Sequence, residues 1–443
     1  MKQRIACCCA AAALITLTAH AQQPWSLRQC IDYAIEHNIS IKQQENVQKQ
    51  RELQLSTSRN SRLPDLNGSA SQNFSFGRGL TAQNTYTNTN TSSTSFSLGT
   101  SVPLFTGFQI PNQIKLNRLN LEAATKDLEK AKNDISMQVA QAYVQILYNM
   151  EISDVAQRQI SIDSAQVVRL QAFVDNGRAS EAELSQQKAA LANSHLTATQ
   201  AQNNLQLSLL SLSQLLELES PDGFNIVRPT LNAELETLNA SLPSPDAIFA
   251  DALTVKPEVQ SAHLAVSAAE RSIDIARAGL YPTLSFSAGL GTNYYTTSGF
   301  KADGFGTQLK NNFSQYLGFN LNIPIFNRFQ TRNSIRSAKL DRETQLLQLD
   351  NTKKSLYKEI QQAYYNTVAA RQKLKSSEQA GESSADAFRL MQAKYENGKA
   401  TITEFNEAKN NFLKTESDLT QARYELLYQQ ALIQFYRGQQ LSF

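Results

Sequence analysis

The sequence predicts a mainly helical chain with β-structure, internally duplicated, in which each half carries two membrane-type strands and a long helical hairpin. Three observations predict it. Val102-Pro-Leu-Phe-Thr-Gly-Phe-Gln-Ile-Pro-Asn-Gln-Ile114 returns as Ile323-Pro-Ile-Phe-Asn-Arg-Phe-Gln-Thr-Arg-Asn-Ser-Ile335, a shift of 323 − 102 = 221. The same shift pairs Gln141-Ala142-Tyr143 with Gln362-Ala363-Tyr364, and Asp175-Asn176-Gly177 with Glu396-Asn397-Gly398. The match runs without a gap, as long helices require, because one inserted residue would turn the apolar face by about 100°. The third observation is a set of segments in which apolar residues alternate with small or polar ones at the period of a strand.

The N-terminus carries Lys2 and Arg4, an apolar run from Ile5 to Thr18, and Ala19-His20-Ala21. That is the layout of a cleaved secretory signal over residues 1–21. The run is too short for a membrane helix, and no later stretch reaches about 18 uninterrupted apolar residues, so membrane insertion has to use strands. Cys7, Cys8 and Cys9 fall in the signal and only Cys30 follows it, which leaves no intramolecular disulfide. Cys30 lies 30 − 21 = 9 residues past the cut and reads as a packed apolar residue, not a lipid acceptor. A net charge of +3, or 3 − 2 = +1 without Lys2 and Arg4, gives no reason to expect a nucleic-acid partner.

The first repeat, residues 22–216, opens with a short helix at Leu27 to His37 and a second at Ile39 to Arg62. Leu63-Pro64 stops the second, because proline disfavours helix in the residue before it. A strand hairpin over 66–105 and a helical hairpin over 112–216, its tip near 177, complete the repeat. The second repeat, 245–437, has helices at Pro245 to Val255 and Pro257 to Leu280, a strand hairpin over 284–326 and a helical hairpin over 331–437 with its tip near 398. Leu63-Pro64-Asp65-Leu66 matches Tyr281-Pro282-Thr283-Leu284 at a shift of 218, so three extra residues mark the intervening segment as a loop. Within the linker 217–244, the stretch Phe224 to Ser241 has no counterpart in the first half. Together with the tail 438–443 it is expected to form a belt around the outside of the helices.

Phe96, Leu98, Thr100, Val102 and Leu104 alternate with small or polar residues, as do Leu317, Phe319, Leu321, Ile323 and Ile325. Their partners run from Leu66 to Phe76 and from Leu284 to Tyr294, across polar loops 77–94 and 295–314. Length, one apolar face and terminal aromatics are those of outer-membrane barrel strands. Four strands cannot close a barrel, and open edges in hydrocarbon leave backbone groups unpaired, so identical chains have to share the wall. Asn112 to Phe173 offers a helix of roughly 90 Å, with Ile135, Val139, Ala142 and Ile146 forming a coiled-coil seam that Leu356, Ile360, Ala363 and Thr367 repeat.

Both hairpin tips carry the same turn chemistry. Gly177 and Gly398 stop one helix in the left-handed region, with Arg178 and Lys399 next to them, while Ser180 with Glu183 and Thr401 with Glu404 form capping boxes that start the next. Glu404 and Glu407, three residues apart, share a helix face and would form acidic rings around a symmetry axis. Each also has an ordinary reading, Glu404 as a cap and Glu407 as a solvated position. Tyr395, just before the turn, is a further constriction candidate and equally a packed aromatic.

Other chemistry is missing from the sequence. His37, His195 and His263 stand in no helical metal-ligand spacing, and Gly289-Leu-Gly291-Thr-Asn-Tyr294 lacks the third glycine of a dinucleotide fingerprint. There is no Gly-x-Ser-x-Gly elbow and no phosphate-binding loop. No enzyme activity, metal or cofactor is expected.

The ordered duplication, the Leu104-Phe105 and Ile325-Phe326 segments leaving a strand, and the glycine tips at Gly177 and Gly398 resemble the TolC-like outer-membrane factor family, also called outer membrane efflux proteins. The resemblance spans essentially the whole mature chain. It implies a homotrimer whose four strands per chain complete a 12-stranded barrel in the outer membrane of a Gram-negative bacterium, continued by a periplasmic α-helical barrel. It implies a passive exit channel, energised by an inner-membrane transporter of resistance-nodulation-division or ABC type. A periplasmic adaptor (membrane fusion) protein would meet the tips at Gly177, Arg178, Gly398, Lys399 and Thr401. The family's periplasmic constriction would fall on Glu404 and Glu407. The rival readings are a secreted coiled-coil adhesin or structural fibre and an ungated porin.

Overall fold

Proline, glycine and capping residues divide the chain before any packing is considered. A computed structural model describes residues 24–80, 84–229 and 242–441; the signal segment with its three cysteines, and residues 230–241 of the linker, lie outside the described residues. The first half contains α1 (Leu27–His37), α2 (Ile39–Asn60), β1 (Asn67–Ser75), β2 (Arg78–Leu80), β3 (Tyr86–Asn88), β4 (Thr91–Thr106), α3 (Gln109–Asp175) and α4 (Glu181–Leu215). The second contains α5 (Pro245–Val255), α6 (Pro257–Ala278), β5 (Thr283–Thr297), α7 (Phe305–Asn311), β6 (Ser314–Asn322), α8 (Gln330–Glu396) and α9 (Ile402–Tyr436).

The four long strands form one antiparallel sheet in the order β1-β4-β5-β6, so that β4 against β5 joins the two halves. The register sets Leu98 opposite Leu290, Val102 opposite Phe286, and Phe286 opposite Phe319, which gathers the apolar residues on one face. The other face is Ser69, Ser97, Ser101, Ser285, Ser287 and Asn320. The apolar face is bare in the protomer, with Leu317 79% and Phe319 72% exposed. β6 stops at Asn322 instead of running on to Ile325, because its partner β5 begins at Thr283, opposite Asn322. The intervening loops are also more structured than polar composition indicates. The first holds the β2–β3 hairpin; the second holds α7, where Gln308 bonds the Tyr295 N–H at 2.9 Å and carbonyl at 3.0 Å.

An elbow of two consecutive left-handed residues turns each strand pair into its long helix: Gly107 and Phe108 at φ +60° and +66°, then Arg328 and Phe329 at +53° and +62°. At Gly107 the chain needs glycine, since a Cβ there would lie 2.6 Å from the Ala278 carbonyl oxygen. The second copy tolerates arginine. Both elbows allow the helix to start at residue 109 or 330, so α3 begins three residues before the expected 112. α3 and α8 are each 67 residues long, roughly 100 Å.

The helices stand in four columns. α4 ends beneath the start of α2, where the Asn38 amide donates to the Leu215 carbonyl at 3.0 Å and the Ile39 N–H to the Glu217 carboxylate at 3.2 Å. α9 ends beneath the start of α6, where Lys256 meets Phe435 and Tyr436; α3 runs past both joints and α8 past the second. Across the strip the order is α4 with α2, then α3, then α9 with α6, then α8. Ile135, Val139 and Ile146 are buried in the main core together with Cys30, whose thiol burial pushes up to about 12; Leu356, Ile360, Ala363 and Thr367 are buried at the matching positions. The linker does not simply wrap the outside. Trp25 and Ile226 form a parallel bridge, and Phe224, Ile226 and the tail's Leu441 are buried in that core against α1 and α3.

At the second joint Lys256 replaces Asn38 of the first (256 − 38 = 218), and its ammonium lies 3.8 Å from the Phe435 ring centre and 5.0 Å from that of Tyr436. Burial pushes Lys256 down from 10.5 to about 8, with Glu258, Asp134 and Glu359 opposing the shift. The unfolded chain therefore holds more protons between pH 8 and 10.5, and stability rises with pH across that window. Lys256→Met removes the slope: its stability advantage over the parent is expected to narrow by about 3 kcal/mol between neutral pH and 10.5. Paired chemical-denaturation curves at the two pH values check this, and parallel curves would refute it.

Candidate functional site at the hairpin tips

Each tip is built by one local device used twice. The Gly177 N–H donates to the Val174 carbonyl at 2.9 Å and the Arg178 N–H to the Phe173 carbonyl at 2.8 Å, the pair of bonds that defines a Schellman stop. In the second tip Gly398 donates to Tyr395 at 3.0 Å and Lys399 to Lys394 at 2.8 Å. Gly177 and Gly398 have φ +66° and +70°, as that stop demands. Restart follows within three residues. The Glu183 N–H donates to the Ser180 hydroxyl at 3.2 Å, and the Ser180 N–H donates back to the Glu183 carboxylate at 3.2 Å. Thr401 and Glu404 do the same at 3.2 Å and 2.7 Å.

The two tips pack on each other. Leu170, Leu184, Ile402 and Phe405 are buried there, with Phe388 and Val174 against them. Tyr395 belongs to this cluster: its ring stacks on Phe405 with centres 5.0 Å apart, so the structure does not bring it to the acidic face. Glu404 and Glu407 are exposed on α9, on the side away from Phe405. The N–H and hydroxyl of Thr401 hold the Glu404 carboxyl below the ordinary carboxylate range, so it stays ionised. Arg178, Gly177, Gly398, Lys399 and Thr401 are exposed at the very end of the molecule.

Just behind the tips lies a buried polar network that the sequence reading missed. The Lys409 ammonium pairs with Asp163, which also accepts from the Gln187 amide at 3.1 Å and from the Ser194 hydroxyl. Gln187 accepts in turn from Asn406 at 3.1 Å. Exposures are 0% for Asp163 and Gln187 and 1% for Lys409 and Ser194, so water does not reach the pair. The signal was available in principle. Asp163 stands in the apolar seam of α3, and Lys409 is four residues after buried Phe405 on the same face of α9.

The sequence profile of outer membrane efflux proteins matches residues 30–217 and again 249–439, one match per half. The chain belongs to the outer membrane efflux protein family. Among curated relatives, the fusaric acid resistance protein FusA of Burkholderia cepacia is 29% identical over 53% of this chain and 43% of its own length. The outer membrane efflux protein BepC of Brucella suis is 21% identical over 82% of this chain and 74% of its own. The chain spans about half the length of FusA and of the toluene efflux pump outer membrane protein TtgC of Pseudomonas putida. The fold is shared with CusC, at TM-score 0.78 and 17% identity over 93% of this chain and 91% of that one. It is shared also with the Campylobacter jejuni CmeC outer membrane channel, at TM-score 0.77 and 18% identity over 94% and 87%. The family is that of outer membrane efflux proteins, and the fold is that of CusC and the CmeC outer membrane channel.

Proposed function

We propose that this chain is the outer-membrane exit channel of a tripartite export system, a passive conduit whose periplasmic tip is gated. The observation that carries the reading is that both layers are open strips with matching free edges. Among the described residues β1 and β6 have unpaired outer sides, and α4 with α2 and α8 lie at the corresponding margins of the helical strip. A bare strand edge inside hydrocarbon is untenable, so further copies have to complete the wall. Two copies give eight strands, about the size that side chains fill; three give twelve and leave water in the middle, which suits a face of Ser, Asn and Gly. The apolar face then meets lipid, and helices roughly 100 Å long hold the tips far into the periplasm.

In such a trimer the solvent-facing Glu404 and Glu407 of each copy converge near the axis as stacked acidic rings, held at fixed height by the capping box and the Phe405 anchor. The exposed ends around Gly177, Arg178, Gly398, Lys399 and Thr401 form the contact for a periplasmic adaptor, which connects to an inner-membrane pump of resistance-nodulation-division or ABC type. Glu404→Gln with Glu407→Gln is expected to abolish the cation preference of the purified channel in planar bilayers and to remove block by divalent cations. Unchanged ion selectivity and block would exclude these residues as the constriction. A secreted adhesin would leave the protein soluble when outer membranes are sedimented and salt-washed.

A further inference from the structure

The apolar face of the sheet is not evenly covered. Thr100 lies opposite Ala288, and Ala288 opposite Leu317, so two small side chains sit in the middle of the wall. Leu66, Leu98, Leu290 and Leu317 rise around them and leave an open groove of about 550 Å³. That is the volume of a small-ligand site. Gln315, opposite Leu290, marks the polar outer end of the groove.

Outward of that groove sits α7, and its contacts fix which side of the sheet it occupies. Along β5, Leu290, Thr292 and Tyr294 all project to the apolar face. The Thr292 hydroxyl donates to the Leu309 carbonyl at 2.6 Å, and the Phe305 ring meets that of Tyr294 with centres 5.1 Å apart. α7 is therefore pinned on the apolar face, at the end of β5 farthest from the long helices. Phe300, Phe305 and Phe313 stay exposed around it, as aromatic residues do where a barrel wall leaves the bilayer. Lys301 precedes the helix and Lys310 lies in its last turn; both are exposed, and neither has an ion-pair partner among the described residues. Across the two outer loops, 76–94 and 295–314, the charged residues are Arg78, Lys301, Lys310 and Asp303, a net charge of 3 − 1 = +2.

We propose that the groove and α7 together seat one anionic lipid per chain, with an acyl chain lying over Thr100 and Ala288 and a headgroup of net negative charge held by Lys301 and Lys310. This deepens the exit-channel reading and rests on its assignment of the apolar face to lipid. The two ends of the site are complementary to the two ends of such a molecule. An acyl chain in the groove covers the small residues that the leucines leave low, and an anionic headgroup beside two lysines gains an attraction that a zwitterionic one lacks. The exposed phenylalanines set the depth. They hold α7 at the boundary of the hydrocarbon, so that the lysine ammonium groups reach the headgroup layer.

Native mass spectrometry of the full-length assembled channel in detergent, titrated with phosphatidylglycerol or phosphatidylcholine, tests this. The parent should favour phosphatidylglycerol and saturate at one lipid per chain. Lys301→Gln with Lys310→Gln should weaken phosphatidylglycerol about 30-fold, the ratio two lysines near an anionic surface give, and leave phosphatidylcholine unchanged. Ala288→Phe, which fills the groove, should weaken both lipids alike. Equal affinity of the parent for the two lipids, as when the loops of a neighbouring copy cover the lysines, overturns the inference, and so does unchanged phosphatidylglycerol binding in either variant. A fluorophore on Leu317→Cys, in vesicles, separates this failure from failure of the reading beneath it; Cys30 is fully buried and does not compete for the label. Quenching by chain-brominated lipid with no preference for phosphatidylglycerol removes the inference alone. Quenching by aqueous iodide instead removes the assignment of this face to lipid, and the inference with it.

Discussion

Lys409→Ala is expected to destabilise the protein by about 3–5 kcal/mol, the range for leaving one member of a buried ion pair without its partner. Asp163 would keep its bonds from Gln187 and Ser194, but a carboxylate at 0% exposure would have no cation and no water. The same logic predicts a non-additive double variant. Asp163→Asn with Lys409→Met removes both charges, keeps an oxygen for Gln187, and leaves Ser194 its bond to the Ala190 carbonyl at 3.1 Å. It should recover most of the loss, since buried pairs replaced by well-packed neutral groups are often close to neutral. Denaturant unfolding in detergent of the parent, Asp163→Asn, Lys409→Met and the double variant completes the cycle. If Lys409→Ala costs less than about 1 kcal/mol, the pair is solvated and contributes no more than a surface ion pair.

That pair also shows where sequence reading ran out. The capping boxes and Schellman stops depend on residues at most five apart, so Gly177, Ser180, Gly398 and Thr401 could be placed from local chemistry alone. The seams at Ile135–Ile146 and Leu356–Thr367 were equally legible, because helical period converts spacing directly into a shared face. Asp163 and Lys409 are 246 residues apart, and each alone reads as an ordinary solvated charge. Burial of Phe224, Ile226 and Leu441 was hidden for the same reason: apolar residues in a polar linker and tail do not say which core receives them. Tyr395 lies at the tip in both readings, but only packing decides that its ring rests on Phe405. The α7 turn escaped because polar loop composition does not show that Gln308 satisfies the backbone of β5.

Which face of the sheet meets lipid is the assignment with the largest consequence for assembly, and two substitutions of the same charge decide it. Leu317 and Asn320 stand three residues apart on β6 and therefore project to opposite faces. Leu317 lies opposite Ala288 among the apolar residues, while Asn320 pairs with Ser285 on the hydroxyl-rich face. A lysine on the lipid side of a barrel costs about 2–4 kcal/mol near the bilayer midplane, and a trimer carries it three times. Leu317→Lys with Phe319→Lys is thus expected to abolish recovery of the trimer from outer membranes. Asn320→Lys should assemble normally and shift the open channel toward anions, since it adds a ring of positive charge to an aqueous wall. Membrane fractionation with intact-trimer electrophoresis reads the first effect and reversal potentials in a salt gradient read the second. Normal assembly of the double lysine variant together with failure of Asn320→Lys would mean the sheet is inside out. The serine face would then meet lipid, and the chain could not form a water-filled exit.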